Sequence, residues 1–391
     1  MWNEKVHSAF FSKKYNMFRQ EAIEIIRKAI TEEGILASAQ QRDNYARVWA
    51  RDSMMTGYAG ILVNDDEILA GLEQSVLTLA KHQAENGQIP SNVVNDKASY
   101  GTHVGRTDAT TWWIVTTCEY LTKTQNHELK NSLKEKIYKA LSCLKSWEYN
   151  QRGLVYSPLG GNWADEYVTS GYTLYDNVLR YWALKNAAEV YDDKTLKTVA
   201  ENTKKLIQEN FYKNENGSDS AKYHETAYAK VTAKPYFYAS LNANGYNGRF
   251  DLAGNALALL LNFDLDLNAF SEFLNGVKEE FRHWMLPAFY PVIFPGDDDW
   301  RLLENNYSYS FKNEPYHFHN GGSWPIFLGW LCLGLKNKGI KDIPEKILKQ
   351  YEELMNEKGE HFREYYSTDQ LLPLGTDQLC FSASGYLLMT Y

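Results

Sequence analysis

Proline is scarce in this chain of 391 residues, with ten in all, and no Gly/Ser-rich or low-complexity tract divides it. No linker is therefore read from it, and residues 1–391 are expected to form one domain. The four cysteines, Cys118, Cys143, Cys332 and Cys380, lie far apart and form no CxxC pair. That excludes a disulfide scaffold and a cysteine zinc site, and reads as buried thiols in a reducing compartment. No run of about 18 apolar residues is present, so a membrane-spanning helix is not expected. The first residues, MWNEKVHSAFFSKKYN, lack the apolar stretch and small residues of a signal peptide. The cytoplasm is the expected location. Basic charge is not in excess: 41 Lys and Arg stand against 49 Asp and Glu, a net charge of −8. A nucleic-acid partner, which needs a basic face, is not expected either.

Several chemistries are missing as well. GxSxG, GxGxxG, a Walker loop and HExxH do not occur. Asp297-Asp298-Asp299 lacks the spaced oxygen ligands of a calcium loop and reads as a solvated turn. His317 and His319, two residues apart, can bind metal in principle, but substrate hydrogen bonding or backbone tethering suits them better. No metal and no cofactor is expected. The sequence is silent on oligomeric state.

What is abundant is aromatic: Phe, Trp and Tyr make up 14%, and Tyr (28) outnumbers Phe (17). Tyr and Trp suit surfaces that are half apolar and half wet, such as a sugar cleft. Six segments each begin with a polar or small-residue cluster and run into an apolar, aromatic-rich helical stretch. They start at Arg51, Gly105, Gly171, Asp251, Gly321 and Cys380. Between them lie six amphipathic patterns, near Phe18–Thr31, Asp65–Gln83, Glu128–Trp147, Lys194–Phe211, Leu267–Phe281 and Lys341–Asn356. Ile68, Leu69, Leu72, Val76, Leu79 and Ala80, for example, share one face at the 3.6-residue period. Helices apolar on all sides alternating with half-exposed ones predict an inner ring inside an outer ring, an all-α (α/α)6 toroid. The connections entering the inner helices are long, as from Tyr212 to Arg249, and those leaving them are short. Function is expected at the long-loop end.

Asp52, in NYARVWARDSMM, stands at the start of the first inner helix. An N-cap would explain the Asp alone, but not Tyr45, Trp49 and Arg51 beside it, which suggest a walled pocket. Glu364, in HFREYYSTDQLLPLG, precedes the last inner helix. Ring closure would bring the two carboxylates together, as glycosidic hydrolysis requires: one protonates the leaving oxygen and the other activates water or attacks the sugar. Arg51 would oppose protonation of Asp52 if the two paired, so it is expected to point at the sugar or elsewhere. Asp165-Glu166, with Trp163 and Tyr172 in a Gly-bounded loop, form a competing acidic pair able to bind hydroxyls or supply the acid. Gln88, Arg106, Asp108, Asp165, Glu166 and His319 are candidate hydroxyl contacts, and Trp49, Trp163 and Trp324 candidate walls. Trp112-Trp113 read as core, with one of the two within reach of the cleft.

These segments resemble glycoside hydrolase family 100, the neutral/alkaline invertases, within the six-hairpin glycosidases. The resemblance is carried in order by RVWARDSMM, GQIPSNVV, YGTHVGRTDATTWWI, FDLAGNALALL, HNGGSWPIFLGW and FREYYSTDQLLPLG. WADEYVTSGYTLYDN is nearer to six-hairpin enzymes acting on α-glucosides, and FREYYSTDQLLPLG is also similar to the segment around the catalytic glutamate of family 63. The resemblance implies an inverting hydrolase of a small α-glucoside, sucrose foremost, with Asp52 as general acid and Glu364 as general base. Other readings remain: an α-glucosidase or α-mannosidase acting on another disaccharide, a sugar epimerase or isomerase using His317 or His319, and a non-catalytic sugar-binding toroid.

Overall fold

The computed structural model describes residues 17–40, 43–213 and 222–391. Helix α1 (17–28) leads into α2 (Ala50–Val63), α3 (Asp66–Lys81), α4 (Thr107–Thr124), α5 (His127–Ser146), α6 (Leu174–Tyr191) and α7 (Lys194–Phe211). The short α8 (Glu225–Lys230) precedes α9 (Leu252–Leu260), α10 (Leu267–Phe281), α11 (Trp300–Glu304), α12 (Pro325–Asn337), α13 (Asp342–Lys358) and α14 (Cys380–Thr390). The helical expectations at Lys194–Phe211 and Leu267–Phe281 coincide with α7 and α10. Contacts between the apolar helices run α2–α4–α6–α9–α12–α14 and return from α14 to α2, a closed cycle.

Short connections leave the apolar helices by a repeated device. After α2, α4 and α6 a single non-glycine residue takes the left-handed conformation: Asn64 (φ 57°), Gln125 (φ 54°) and Asp192 (φ 52°). The next residue, Asp65, Asn126 or Asp193, then caps the following helix by accepting from a backbone N–H two or three residues on. Left-handed exit plus side-chain cap reverses the chain in two residues, which forces each outer helix to lie antiparallel on its inner partner.

The centre of the cycle is filled by rings. Tyr58 of α2, Trp112 of α4, Trp182 of α6 and Trp330 of α12 pack with centroids 5.0–6.0 Å apart. Trp112 donates its indole N–H to the Tyr175 hydroxyl at 2.8 Å, and Trp113 turns outward to the Val76 carbonyl at 3.1 Å. Both tryptophans are fully buried, so neither reaches the cleft, contrary to expectation. At α12–α14 two glycines let backbones touch: a methyl group on Gly385 would lie 2.3 Å from the Pro325 carbonyl oxygen, and one on Gly329 2.4 Å from that of Gly385.

The all-α expectation needs correction, because the long connections fold into small antiparallel sheets. They are β1 (Ile30–Thr31) with β2 (Gly34–Ile35); β3 (Val48–Trp49), β4 (Asn92–Val94) and β5 (Lys97–Ser99) in order; β6 (Tyr172–Thr173), β7 (Tyr238–Asn242), β8 (Gly245–Asp251) and β9 (Phe289–Tyr290) in order; and β10 (Tyr365–Tyr366) with β11 (Pro373–Leu374). Strands β3, β6 and β8 run directly into α2, α6 and α9. The stretch from Tyr212 to Arg249, read as loop, holds α8 and most of the β7–β8 hairpin. Strands of two or three residues leave too little period-2 pattern to be seen in sequence.

All four cysteines are buried and free. Among the described residues no helix is long and apolar enough to cross a membrane, and no His, Cys, Asp and Glu cluster could hold a metal ion. Asp297 accepts from the Phe294 N–H within its turn and Asp299 pairs with Arg249.

Gly385→Ala should lower stability by about 1–3 kcal/mol despite the better helix propensity of Ala, because the α12 backbone cannot retreat; urea unfolding monitored by circular dichroism measures it. A second expectation concerns Asp251, the buried cap of α9, which accepts from the Gly254 N–H at 3.1 Å and is pushed up to about 7 by burial. In the unfolded chain its carboxyl ionises near 3.9. Its folded form therefore holds a proton that the unfolded form has lost, and its contribution to stability falls as pH rises from about 4 through 7. Asp251→Asn, which keeps the acceptor and loses the charge, should flatten the decline in stability between pH 5 and 8.

Candidate active site

The long connections converge on a cleft of about 270 Å³, near the lower end of the roughly 300–1,000 Å³ of small-molecule sites. It is built from the segments preceding five of the apolar helices. Trp49, Arg51 and Asp52 come from the start of α2, and Arg106 from the start of α4. Trp163, Asp165 and Glu166 come from the loop before α6, His319 and Trp324 from the approach to α12, and Glu364 from the approach to α14. Ten of the thirteen residues singled out in the sequence thus line one cavity.

Closure of the cycle explains how Asp52 and Glu364 share it. The segment before α2 and the segment before α14 are stitched together by backbone hydrogen bonds: Cys380 N–H to the Ala37 carbonyl at 3.0 Å and Ala39 N–H to the Gln378 carbonyl at 3.4 Å. Across this seam the Tyr45 hydroxyl lies 2.9 Å from both carboxylate oxygens of Glu364. The Thr376 N–H donates to Oε2 at 3.1 Å. Gly375, at φ +73°, leaves the space that Glu364 occupies: a methyl group there would be 2.2 Å from Oε2.

The carboxylates differ in their surroundings. Burial raises the pKa of Glu364, while the donors from Thr376 and Tyr45 stabilise its ionised form and oppose the rise. Burial also raises Asp52, opposed by Arg51 and reinforced by Asp108. Asp52 Oδ2 is sealed from solvent and accepts no hydrogen bond. Here Arg51 departs from expectation: instead of turning away, it lies 3.4 Å from Asp52 and 3.5 Å from Asp108, over the Phe381 ring. The guanidinium is divided between two acids, and burial of Asp52 outweighs its share. On the far side, Arg106 pairs with Asp165 at 2.7 Å and also donates to the Gly160 carbonyl. Burial raises Glu166, against the opposing charge of Lys312 at 3.5 Å.

Trp163 and Trp324 form part of the wall and pack with His319 as a triangle of rings, its centroid 5.1 and 5.4 Å from theirs and theirs 5.6 Å apart. Burial, then the nearby cations, drive the His319 pKa well down, so it is neutral at pH 7. His317 sits apart from the cleft lining, 3.9 Å from Asp369.

Three candidates fall outside the lining. Asp108 is fully buried behind Arg51, where it positions the guanidinium. Gln88 is half-buried next to Gly105. Tyr172 is held in β6, edge-on to Tyr156 and Tyr223. Conversely, sequence reasoning named only Trp49 of one wall. Trp49, Asn92 and Ser99 are paired across β3–β4–β5, and Arg47 lies two residues before Trp49. All four line the cleft; the resemblance carried by RVWARDSMM and GQIPSNVV covers Arg47 and Asn92, but no pattern singled out Arg47, Asn92 or Ser99 as site residues. Lys312, over the Phe318 ring at 4.1 Å, was missed because nothing in KNEPYHFH marks a ligand.

The family model for alkaline and neutral invertase matches residues 218–390. Neutral/alkaline invertase 1, mitochondrial, of Oryza sativa subsp. japonica is 24% identical over 135 residues, 34% of this chain and 20% of that protein. Alkaline/neutral invertase C, mitochondrial, of Arabidopsis thaliana is 25% identical over 135 residues, 34% of this chain and 19% of that protein. The aligned stretch therefore spans about a fifth of the curated relatives. Among solved structures, an uncharacterized conserved protein from Thermus thermophilus superposes with TM-score 0.69 at 12% identity, covering 96% of this chain and all of that one. The GH63 mannosylglycerate hydrolase from the same organism, in complex with Tris and D-glycerate, gives 0.66 at 12% over the same shares. A bacterial glucoamylase complexed with acarbose gives 0.63 at 18%, covering 97% of this chain and 56% of that one.

Removing the Tyr45 donor by Tyr45→Phe should raise the Glu364 pKa further, since that hydrogen bond favours the carboxylate. Carbon-13 NMR titration of Glu364, assigned by its loss in Glu364→Gln, reads the shift. The sequence resemblance to alkaline and neutral invertases thus has independent support over residues 218–390, on a mostly helical fold shared along nearly the whole chain with six-hairpin glycosidases.

Proposed function

We propose that this chain is a glycoside hydrolase acting on a small α-glucoside, with one (α/α)6 toroid over residues 1–391 as its catalytic domain and the cytoplasm as its location. The cycle of helix contacts supports the toroid. The observation that carries the activity is the set of inequivalent carboxylates in one aromatic-walled cleft. Glu364, with donors on its oxygens, suits the general base that deprotonates water for attack on the anomeric carbon. A second carboxyl protonates the departing oxygen, and the sugar inverts. Inversion calls for about 6.5–9.5 Å between the two groups. Sucrose leads among substrates because the matching family is that of invertases; another α-linked disaccharide is the runner-up. No metal or cofactor takes part in the proposed steps.

The acid has two readings. Asp52 is raised by burial, against the opposing charge of Arg51 and with help from Asp108, which is the direction a general acid needs. The depth of the cleft favours Asp165. Its side chain is 35% exposed against 10% for Asp52, and Glu364 is half-buried. In a blind pocket the glycone fills the bottom and the scissile bond lies nearer the mouth. On this second reading Asp165 protonates the leaving oxygen, while Asp52 and Arg51 hold ring hydroxyls.

Leaving-group dependence separates the two. A general acid matters for a sugar leaving group and little for fluoride, whereas a base or a hydroxyl ligand matters for both. The true acid, changed to Asn, should lose about 10²–10⁴-fold on a disaccharide and keep most of its activity on α-glucosyl fluoride. The other Asp and Glu364→Gln should lose activity on both. Proton NMR of the first-formed anomer tests inversion, and no hydrolysis of any α-glucoside in the panel would sink the glycosidase reading.

A further inference from the structure

The cleft's charges are not all matched. Arg51 has Asp52 and Asp108, Arg106 has Asp165, and Lys312 has Glu166. Arg47 forms no ion pair among the described residues; its one hydrogen bond there is from Nη1 to the Asn92 amide oxygen at 3.3 Å. It is half-buried and lines the cavity. A guanidinium has five N–H donors, so most of its capacity is unused among the described residues.

Its neighbours are chosen by sheet register. Trp49 pairs with Asn92 and Asn92 with Ser99, so these three side chains share one face of β3–β4–β5, and Arg47, in the bend just before β3, is tied to that face by its bond to Asn92. The same wall continues through Gly101 and Thr102. It therefore offers a cation, an amide and the Thr102 hydroxyl, and no carboxylate, while the Ser99 hydroxyl donates to the Gly101 carbonyl at 3.3 Å. Neutral sugar hydroxyls are usually held by groups that accept as well as donate, and the cleft supplies these in Asp165 and Glu166. A wall of donors around one Arg that has no counter-charge among the described residues fits an oxyanion.

We propose that the β3–β4–β5 wall is an anion subsite, so that the hydrolase proposed above prefers, over neutral sucrose, an α-glucoside whose leaving group carries a carboxylate or a phosphate. Arg47 binds the anion, with the Asn92 amide oxygen orienting the guanidinium and the Thr102 hydroxyl donating to a remaining oxygen. The inference rests on the glycosidase reading for its substrate, but not for its binding event.

The test has two arms. In the first, kcat/KM is measured for α-glucosides in matched pairs: a carboxylate-bearing leaving group against its amide, and a phosphomonoester against the free hydroxyl. Wild type should prefer an anionic member by roughly 10- to 100-fold, the size of a charge-assisted hydrogen bond set. Arg47→Gln should bring the ratio to about 1, and Arg47→Lys, which keeps the charge, should restore part of it. The pair that responds identifies carboxylate or phosphate. Equal rates for both members of both pairs in the wild type would overturn the proposal, as would a preference that survives Arg47→Gln. The second arm needs no turnover: binding of lactate and of inorganic phosphate, followed by NMR, should be saturable and weakened at least about tenfold in Arg47→Gln. If no glycoside is hydrolysed but this binding is seen, the hydrolase reading fails and the anion site stands; no Arg47-dependent binding of either anion would remove the site.

Discussion

The return contact from α14 to α2 is the constraint on which the cleft depends. Six helices apolar on nearly all sides cannot expose a face to water, and a closed cycle gives each of them two like neighbours. Closing it joins the beginning and the end of the chain. Backbone hydrogen bonds between residues 37–39 and 378–380 seal the seam, and the Tyr45–Glu364 contact spans it. Asp52 and Glu364 face one cavity because of that seam, although 312 residues separate them.

A filled centre makes the closure rigid. Tyr58, Trp112, Trp182 and Trp330 occupy the axis, and the Gly329–Gly385 approach lets α12 and α14 pack backbone to backbone. The cleft therefore opens at the helix N-termini, against a solid floor. Rigidity below is what allows polar groups above to be held with little motion: Arg51 between two acids, Arg106 between Asp165 and Gly160, Glu364 between Tyr45 and Thr376. Each carboxylate has different company, and the difference in company is what allows chemically identical groups to take different parts in a reaction.

The periodic features are legible in the amino-acid order. Amphipathic stripes locate α7 and α10 to the residue, and the alternation of apolar with half-polar helices announces the two layers. The asymmetry of long and short connections points to the end at which ten of thirteen candidates gather. Short or unpatterned features are the ones that escape. Strands β3, β4 and β5 have two or three residues each, so the wall carrying Arg47, Asn92 and Ser99 has no readable period, and only the resemblance in RVWARDSMM and GQIPSNVV touches it. Asp108 looks like a ligand because it stands in an aromatic-rich segment beside Arg106, yet its place in the first turn of α4 sends it behind Arg51.

Layer, period and residue chemistry are thus properties of the linear chain, because they follow from local spacing and from which side chains water will tolerate. The gathering of acids and aromatics at one end belongs with them, since connection length is also read along the chain. Which acids meet, how deep each lies and which cations stand beside them are settled only when the ring closes. Those are distances between segments that chain order does not encode, and burial and charge act through distance.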